Sequence, residues 1–369
     1  MGFSFFYKKK EKPFLVLDIG TEAVKVLVCR RENSSIVVLG AATQYFEKYG
    51  VFDGKEFEIE IVKKAIIEIV KEDWRGLPVL VSLPPDLLRA GVVRQFLSRE
   101  KPKKKITQKE EELISKQVFK EAKETISQSF AQKCGILPSE IKWVSLKILT
   151  TKIDGYLVSR LQGYEGKDLE FKILTTFLPK YYLSIIEGLF KELRLKVSKI
   201  VHLAECVSVV FGEEMPDAFF LDIGGERTQF FLLREGSLER FKSIKTGGKL
   251  FSQDLSETLG IDEESAKVLK ERYSNKLLSP GSRKKIEQIF LPKKTMWYKE
   301  LKPPFSLISF LFGGGSQLPE IQEVLQEHGI KAEVLYPKDL KSIKDPAKIL
   351  KSPQYVPSLI ISYYAKEVF

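Results

Sequence analysis

Two stretches set an aspartate and a glycine together at the end of an apolar run. They are Phe14 to Arg30, FLVLDIGTEAVKVLVCR, and Ala218 to Arg234, AFFLDIGGERTQFFLLR. Glycine lets the backbone turn sharply and brings N–H groups within reach of an anion, while the carboxylates of Asp18 and Asp222 offer oxygens suited to Mg2+ or its bound waters. A phosphate and metal site between two halves of the chain is the reading with chemical content. A plain hairpin at each Asp-Gly is the bland one. A third signal, FSLISFLFGGGSQLP over Phe305 to Pro319, sets Gly313, Gly314 and Gly315 between an apolar strand and a helical pattern, where a ligand meets bare backbone.

Turns of this kind need strands on both sides to hold them. In each copy a continuous apolar run of strand length enters the turn and a second one leaves it, so two related halves are expected. After the first hairpin, Ile36 to Ala42 reads as a third strand, and Val62, Ala65, Ile66, Ile69 and Val70 recur at helical spacing. Pro78 to Leu83 is a further short strand, ended by Pro84-Pro85. Thr107 and Glu110 form a capping-box pattern ahead of a helix with Ile114, Val118, Ala122 and Ile126 on one face. Three strand candidates follow: Ile141 to Thr150, Gly155 to Leu161 and Leu169 to Phe177. A helix from Lys180 to Leu193, a strand near Ile200 to Leu203 and a short helix lead to the second hairpin. Beyond it come two helical segments, the second capped by Asp262. A lysine-rich, partly exposed helical stretch from Arg283, the glycine turn, a helix from Gln317 to His328, a strand at Ala332 to Leu335 and a last helix from Pro357 close the chain.

At 369 residues the chain has room for two or three domain-sized units, and 43% hydrophobic with 30% charged residues is an ordinary globular balance. The formal charge of +11 is concentrated in short runs at Lys8 to Lys12, Lys101 to Lys109 and Arg283 to Lys302. Such runs attract acidic partners or anionic surfaces, or simply keep the protein in solution. No interleaved aromatic and basic signature accompanies them, so nucleic acid is not an expected partner. Cys29, Cys134 and Cys206 are isolated, as are His202 and His328, which leaves no metal-ligand spacing, disulfide framework or triad. A reducing, cytoplasmic setting fits. No apolar run is long enough to span a membrane, and no secretory leader is expected. Residues 1–12, with Phe3, Phe5, Phe6 and Tyr7 ahead of lysines, have the chemistry for peripheral contact with an anionic membrane, or for a packed terminus.

The order of the three signals, Asp-Gly hairpin, second Asp-Gly hairpin, then Gly-Gly-Gly before a helix, resembles the actin-like ATPase superfamily. Within it the chain is most similar to the FtsA/PilM group, over nearly its whole length. LDIGTEAVKVLV looks like the first phosphate loop, LDIGGERTQFFLL like the second, TGGKLFSQDLSETLGIDEESAKVLKERY like the segment that reaches the nucleotide's sugar and base, FGGGSQLPEI like the adenosine-side turn, and SPQYVPSLIISYYA like the closing helix. The resemblance implies an α/β, actin-like (ribonuclease H-like) two-lobed fold with a small α+β domain inserted in the first lobe. Residues 1–76 and 179–203, completed by about 337–369, would form the first lobe, 77–178 the inserted unit and 204–336 the second lobe.

It also implies ATP and Mg2+ as cofactors. Asp18 and Asp222 would orient the metal and water. Gly20 and Thr21 would contact phosphates from one side and Gly224, Gly225 and Thr228 from the other, with Gly247, Gly248, Lys270, Gly313, Gly314 and Gly315 along the nucleoside. Lys25 would reach a phosphate, or else point to solvent from its strand. Glu205 is the one carboxylate placed to position a water. Where the group has glycine and threonine, this chain has Glu226 and Arg227, which sets a carboxylate where phosphate oxygens would come; Lys267 stands where a glutamate is common. Three functions follow. The first is an ATP-binding scaffold at the inner face of the plasma membrane, self-associating through actin-like contacts, whose partner is an FtsZ-type division protein or the cytoplasmic tail of a pilus membrane protein. The others are a slow ATPase or kinase-like enzyme and a nucleotide-free adaptor. The membrane helix that usually ends FtsA is not expected after Phe369, so tethering would come from residues 1–12 or from a partner.

Overall fold

The computed structural model describes residues 11–47, 57–303 and 307–369. The aromatic and lysine-rich start, up to Lys10, lies outside the described residues, as do Phe305 and Ser306 of the third glycine signal. In chain order the elements are β1 (Phe14–Ile19), β2 (Ala23–Glu32), β3 (Ser35–Tyr45), α1 (Ile59–Ile69), β4 (Pro78–Ser82), β5 (Arg89–Ser98), α2 (Gln108–Cys134), β6 (Ile141–Ile153), β7 (Tyr156–Val158), β8 (Asp168–Pro179), α3 (Lys180–Glu192) and β9 (Lys196–Ile200). The second part holds α4 (Ala204–Phe211), β10 (Ala218–Ile223), β11 (Thr228–Arg234), β12 (Ser237–Ile244), α5 (Gly248–Leu259), α6 (Glu263–Ser274), α7 (Pro280–Leu301), β13 (Ser309–Phe312), α8 (Pro319–Glu327), β14 (Ala332–Val334), β15 (Ile343–Lys344) and α9 (Val356–Ser362).

Two sheets repeat one plan. The order β15-β3-β2-β1-β4-β9 in one matches β12-β11-β10-β13-β14 in the other, apart from the added edge strand β15. In each, an antiparallel meander is extended by parallel strands on the far side of its first strand. The repeated hairpins agree in register: Asp18 lies opposite Lys25, and Asp222 lies opposite Gln229.

The alternation of side chains along β1 and β10 explains how the sheets come together. Leu15, Leu17 and Ile19 face a core shared with α1 and α3, and Phe219, Leu221 and Ile223 face one shared with α5 to α8. The opposite faces, Phe14 and Val16 on β1 and Ala218 and Phe220 on β10, enter one common core with α4 and α9. Every residue of α9 is buried. That shared core holds the two turns on the same side of the molecule.

A third sheet, β5-β8-β6-β7, is backed by α2. Thr107 caps that helix as expected, accepting a hydrogen bond from the Glu110 amide at 3.2 Å. The return half of the capping box is absent, because the Glu110 carboxylate accepts from Arg99 at 2.9 Å instead. Two sequence expectations need correction. Strand β4, placed within the 77–178 unit, pairs in parallel with β1 and β9 and so belongs to the six-stranded sheet; the third sheet begins at Arg89. Strand β5 itself has no counterpart among the sequence-derived strands. Its Gly91 lies under Ile126 of α2, and a Cβ at that position would come 2.6 Å from the Ile126 side chain.

Candidate functional site

The two turns face one another across a cleft. Each is closed in the same way, with the Gly20 amide donating to the Ala23 carbonyl and the Gly224 amide to the Arg227 carbonyl, both at 2.9 Å. Between them lies a cavity of about 130 Å3 lined by Asp18, Gly20, Thr21, Lys25, Asp222, Gly224, Gly225, Gly313 and Gly314. A second cavity of about 230 Å3 continues from it past Gly224, Gly225, Gly248, Lys270, Gly314 and Gly315. The cleft therefore has one end rich in carboxylates and glycine turns and another bounded by α6.

At the first end, Lys25 Nζ donates to Asp18 at 3.1 Å, and Ser358 of α9 donates to the same carboxylate oxygen at 2.8 Å. Gln229 donates to Asp222 at 3.3 Å, so the two hairpins use the residue seven positions after the aspartate in the same way. Burial pushes the Asp222 carboxyl up to about 7, with Lys25 opposing the rise and the charge of Asp18 adding to it. Burial also works against the Lys25 ammonium, but Asp18 and Asp222 together hold it above its ordinary value. The pair of carboxylates is thus short of positive charge. Among the described residues no group of three or more histidine, cysteine, aspartate or glutamate side chains is arranged to hold a metal ion. Two carboxylates fit Mg2+ when it enters with a polyphosphate that supplies the remaining oxygens. Bound there, the ion would neutralise phosphate charge.

Gly313 shows why the third signal is a glycine turn. Its φ is +85°, and a Cβ there would sit 2.5 Å from an Asp222 oxygen. At the other end of the cleft Lys270 donates to the Gly248 carbonyl at 2.9 Å, and burial holds its ammonium below the ordinary lysine value.

Three expected site residues are elsewhere. Thr228 is fully buried, donating to the Thr246 carbonyl at 2.6 Å and accepting from Trp297 Nε1 at 3.0 Å; its hydroxyl is needed to join β11 to α7. Gly247 packs against the second turn, where a Cβ would be 2.5 Å from the Gly225 carbonyl, and it lines neither cavity. Glu205 is buried behind Leu203 and is a junction residue, taking hydrogen bonds from the His202 amide, Thr176 and Tyr364. It lines neither cavity.

The charged substitutions also resolve. Glu226 turns away to pair with Lys249 at 3.0 Å, so it does not place its carboxylate among the turns. Arg227 lines the cleft and grips Asp86, in the loop after β4, with two hydrogen bonds. Both side chains are 13% exposed. Asp86→Ala, which leaves that largely buried guanidinium without its carboxylate and with only the Ser243 hydroxyl at 3.4 Å, is expected to cost about 1–3 kcal/mol in urea unfolding. A cost within error of zero would refute the clamp. A further carboxylate that enters the cleft, between the two cavities, is Glu22, which sequence reasoning passed over. Tyr45, Gln229, Glu271 and Gln354 are further lining residues it missed. Only Gln229 left a signal, as the counterpart of Lys25.

A sequence model described as "Cell division protein FtsA" matches residues 219–359. The cell division protein FtsA of Streptococcus pneumoniae is 24% identical over 92% of this chain and 78% of its own length, and that of Enterococcus hirae 22% identical over 89% and 79%. The backbone superposes on a chain of the PilM-PilN type IV pilus biogenesis complex with a TM-score of 0.69, at 16% identity, covering 96% of this chain and 98% of that one. The chain has an actin-like fold and is similar to the FtsA/PilM group. The ethanolamine utilization protein EutJ from Carboxydothermus hydrogenoformans shares the fold at a TM-score of 0.52 and 14% identity, over 96% of this chain and 91% of that one. No helix among the described residues is long and apolar enough to cross a membrane.

Proposed function

We propose that this chain is a nucleotide-binding adaptor of the FtsA/PilM type, which links an FtsZ-type division filament to the inner face of the plasma membrane. The observation that carries the reading is the Asp18–Lys25–Asp222 cluster between matched turns, opening into the Lys270 end of the cleft. ATP with Mg2+ suits this donor set. Asp18 and Asp222 would hold the metal, Gly20, Thr21, Gly224 and Gly225 would approach phosphates through backbone, and Gly248, Lys270, Gly314 and Gly315 would flank the nucleoside. A ligand that touches both turns binds best when the lobes are together, so occupancy biases the arrangement that partners meet. Glu205, the carboxylate expected to position a water, is committed to the His202 amide, Thr176 and Tyr364, which supports a switch over rapid turnover.

The experiment is calorimetry with Mg-ATP. The natural chain is expected to bind, and Asp222→Ala to weaken binding roughly tenfold or more, about 1.4 kcal/mol or above. Equal affinity for both proteins would remove the nucleotide role from this site. Co-sedimentation with FtsZ-type filaments tests the division role. A PilM-like adaptor is the second reading, favoured by the superposition over nearly the whole of both chains; its partner would be the cytoplasmic tail of a pilus membrane protein, and anisotropy with a labelled tail peptide tests it. Self-association into protofilaments and peripheral membrane contact through residues 1–12 belong to the same proposal.

A further inference from the structure

Glu22 is the first-turn residue that lines both cavities, at the point where they join. Its side chain crosses to the second lobe and lies on Gly225, where a Cβ would be 2.2 Å from Oε1. Oε1 is shielded from solvent there and accepts no hydrogen bond from the described residues. Oε2 is 3.6 Å from Lys267 Nζ on α6, and the charge of Glu22 also bears on Lys270, one helical turn further along the same helix. Lys267 is held from the first lobe a second time, its ammonium 4.7 Å from the Tyr45 ring centroid. Beside these contacts the Glu226 amide donates to Thr21 at 3.4 Å. The second lobe offers two lysines and a glycine turn, the surface suited to an anion, and a carboxylate of this same chain already sits on it.

We propose that Glu22 is a built-in anion that plugs the cleft and latches the lobes, so that a ligand's phosphates bind only by displacing it. The inference rests on the nucleotide reading of the cleft. An oxygen buried without a donor is costly, so the plug is held by charge and contact with one oxygen left unsatisfied, and a ligand bearing more charge and more oxygens competes for the same lysines. Gly225 fits this role, since any side chain there would evict the carboxylate. Glu22, the residue after Thr21 in the first turn, therefore sets the threshold for nucleotide entry, while Glu226 is spent on Lys249.

The test compares the natural chain with Glu22→Ser and Glu22→Gln, the latter keeping the shape and removing the charge. Thermal melting first establishes that all three are folded. Mg-ATP calorimetry is expected to show Glu22→Ser binding about tenfold tighter or more, with Glu22→Gln between it and the natural chain. Without nucleotide, hydrogen exchange at Gly224 to Arg227 is expected to be faster in Glu22→Ser, because the latch over that turn is gone. Equal or weaker binding by Glu22→Ser, where the natural chain binds, overturns the plug and leaves the nucleotide reading standing. Binding by Glu22→Ser alone upholds the plug and removes the nucleotide switch from the natural chain. No binding by any of the three overturns both, and unchanged exchange overturns the latch.

Discussion

Trp297→Ala is expected to lose about 3–5 kcal/mol of stability in urea unfolding, the range for truncating a fully buried aromatic side chain. Trp297 belongs to the stripe Ile286, Phe290, Lys294, Trp297 and Leu301, by which α7 is buried against the second lobe. It has no exposed surface, so the indole leaves a cavity that close-packed neighbours fill only in part. The substitution also takes the Nε1 donor from Thr228, whose hydroxyl in turn holds the Thr246 carbonyl. Thr228 opens β11 directly after the second turn, and Thr246 precedes the glycine pair that starts α5. The amides of Gly248 and Lys249 donate to the carbonyls of Gly224 and Gly225 at 2.9 and 2.7 Å, so disorder at Thr246 passes straight to the turn. Trp297→Phe separates the contributions: most of the volume stays, the donor goes, and the expected loss is about 1 kcal/mol. A Trp297→Ala loss no larger than that of Trp297→Phe would show that the indole packing is not what holds this wall.

The same residues show how far sequence could go. The two hairpins were legible because their strands are buried on both faces, which produces continuous apolar runs, and because the Asp-Ile-Gly turn recurs. Their equivalence could be read no deeper than the turn. That Gln229 answers to Lys25 depends on register, which a hairpin fixes only once its turn geometry is known. The third sheet was legible where turn residues bounded its strands and lost at β5, where Gly91 makes room for a helix that sequence places 35 residues away at Ile126.

Side-chain direction was the larger loss. Thr228, Gly247 and Glu205 stand next to turns or helix starts in sequence, where contact with phosphate, with the nucleoside and with a water, respectively, is a fair expectation. Thr228 faces inward because the strand alternates, and it takes the two hydrogen bonds that a buried hydroxyl and indole need. Glu226 and Glu22 are the sharper case. Both follow a glycine turn, and sequence assigned the carboxylate in the cleft to Glu226. Lys249, one position into α5, draws Glu226 aside, whereas the open face of Gly225 accepts Glu22. Neither neighbour is near in sequence to the residue whose direction it decides.

Acid is expected to weaken the fold through His202, and the sign follows from its burial. The ring is 3% exposed, packs edge-on against Phe241 at 5.1 Å, and accepts the Ala204 amide on Nδ1 at 3.0 Å. Protonation there would replace an acceptor by a donor facing a donor, and burial pushes the group down to about 3 from an ordinary 6.5. Between those values the unfolded chain binds a proton that the folded chain refuses, so stability is complete above about 6.5 and falls as pH drops toward 3. From pH 7.5 to pH 5 the expected loss is about 2 kcal/mol. Glu205, whose carboxyl burial raises, runs the other way: its protonated form suits the folded state, so its contribution falls as pH rises through its titration. The difference between the natural chain and His202→Gln, whose amide oxygen can still accept the Ala204 amide, isolates the histidine. Urea midpoints for the two proteins are expected to diverge below pH 6.5, with the natural chain losing more, and parallel curves would sink the assignment. The effect reaches the cleft by a short path. Leu203 lies between His202 and α4 and lines the cavity beside Asp18, while Thr176 of β8 and Tyr364 beyond α9 both bind Glu205. A charged His202 loosens the junction where the third sheet, α4 and the C-terminal segment meet, and the wall behind the aspartate pair is part of that junction.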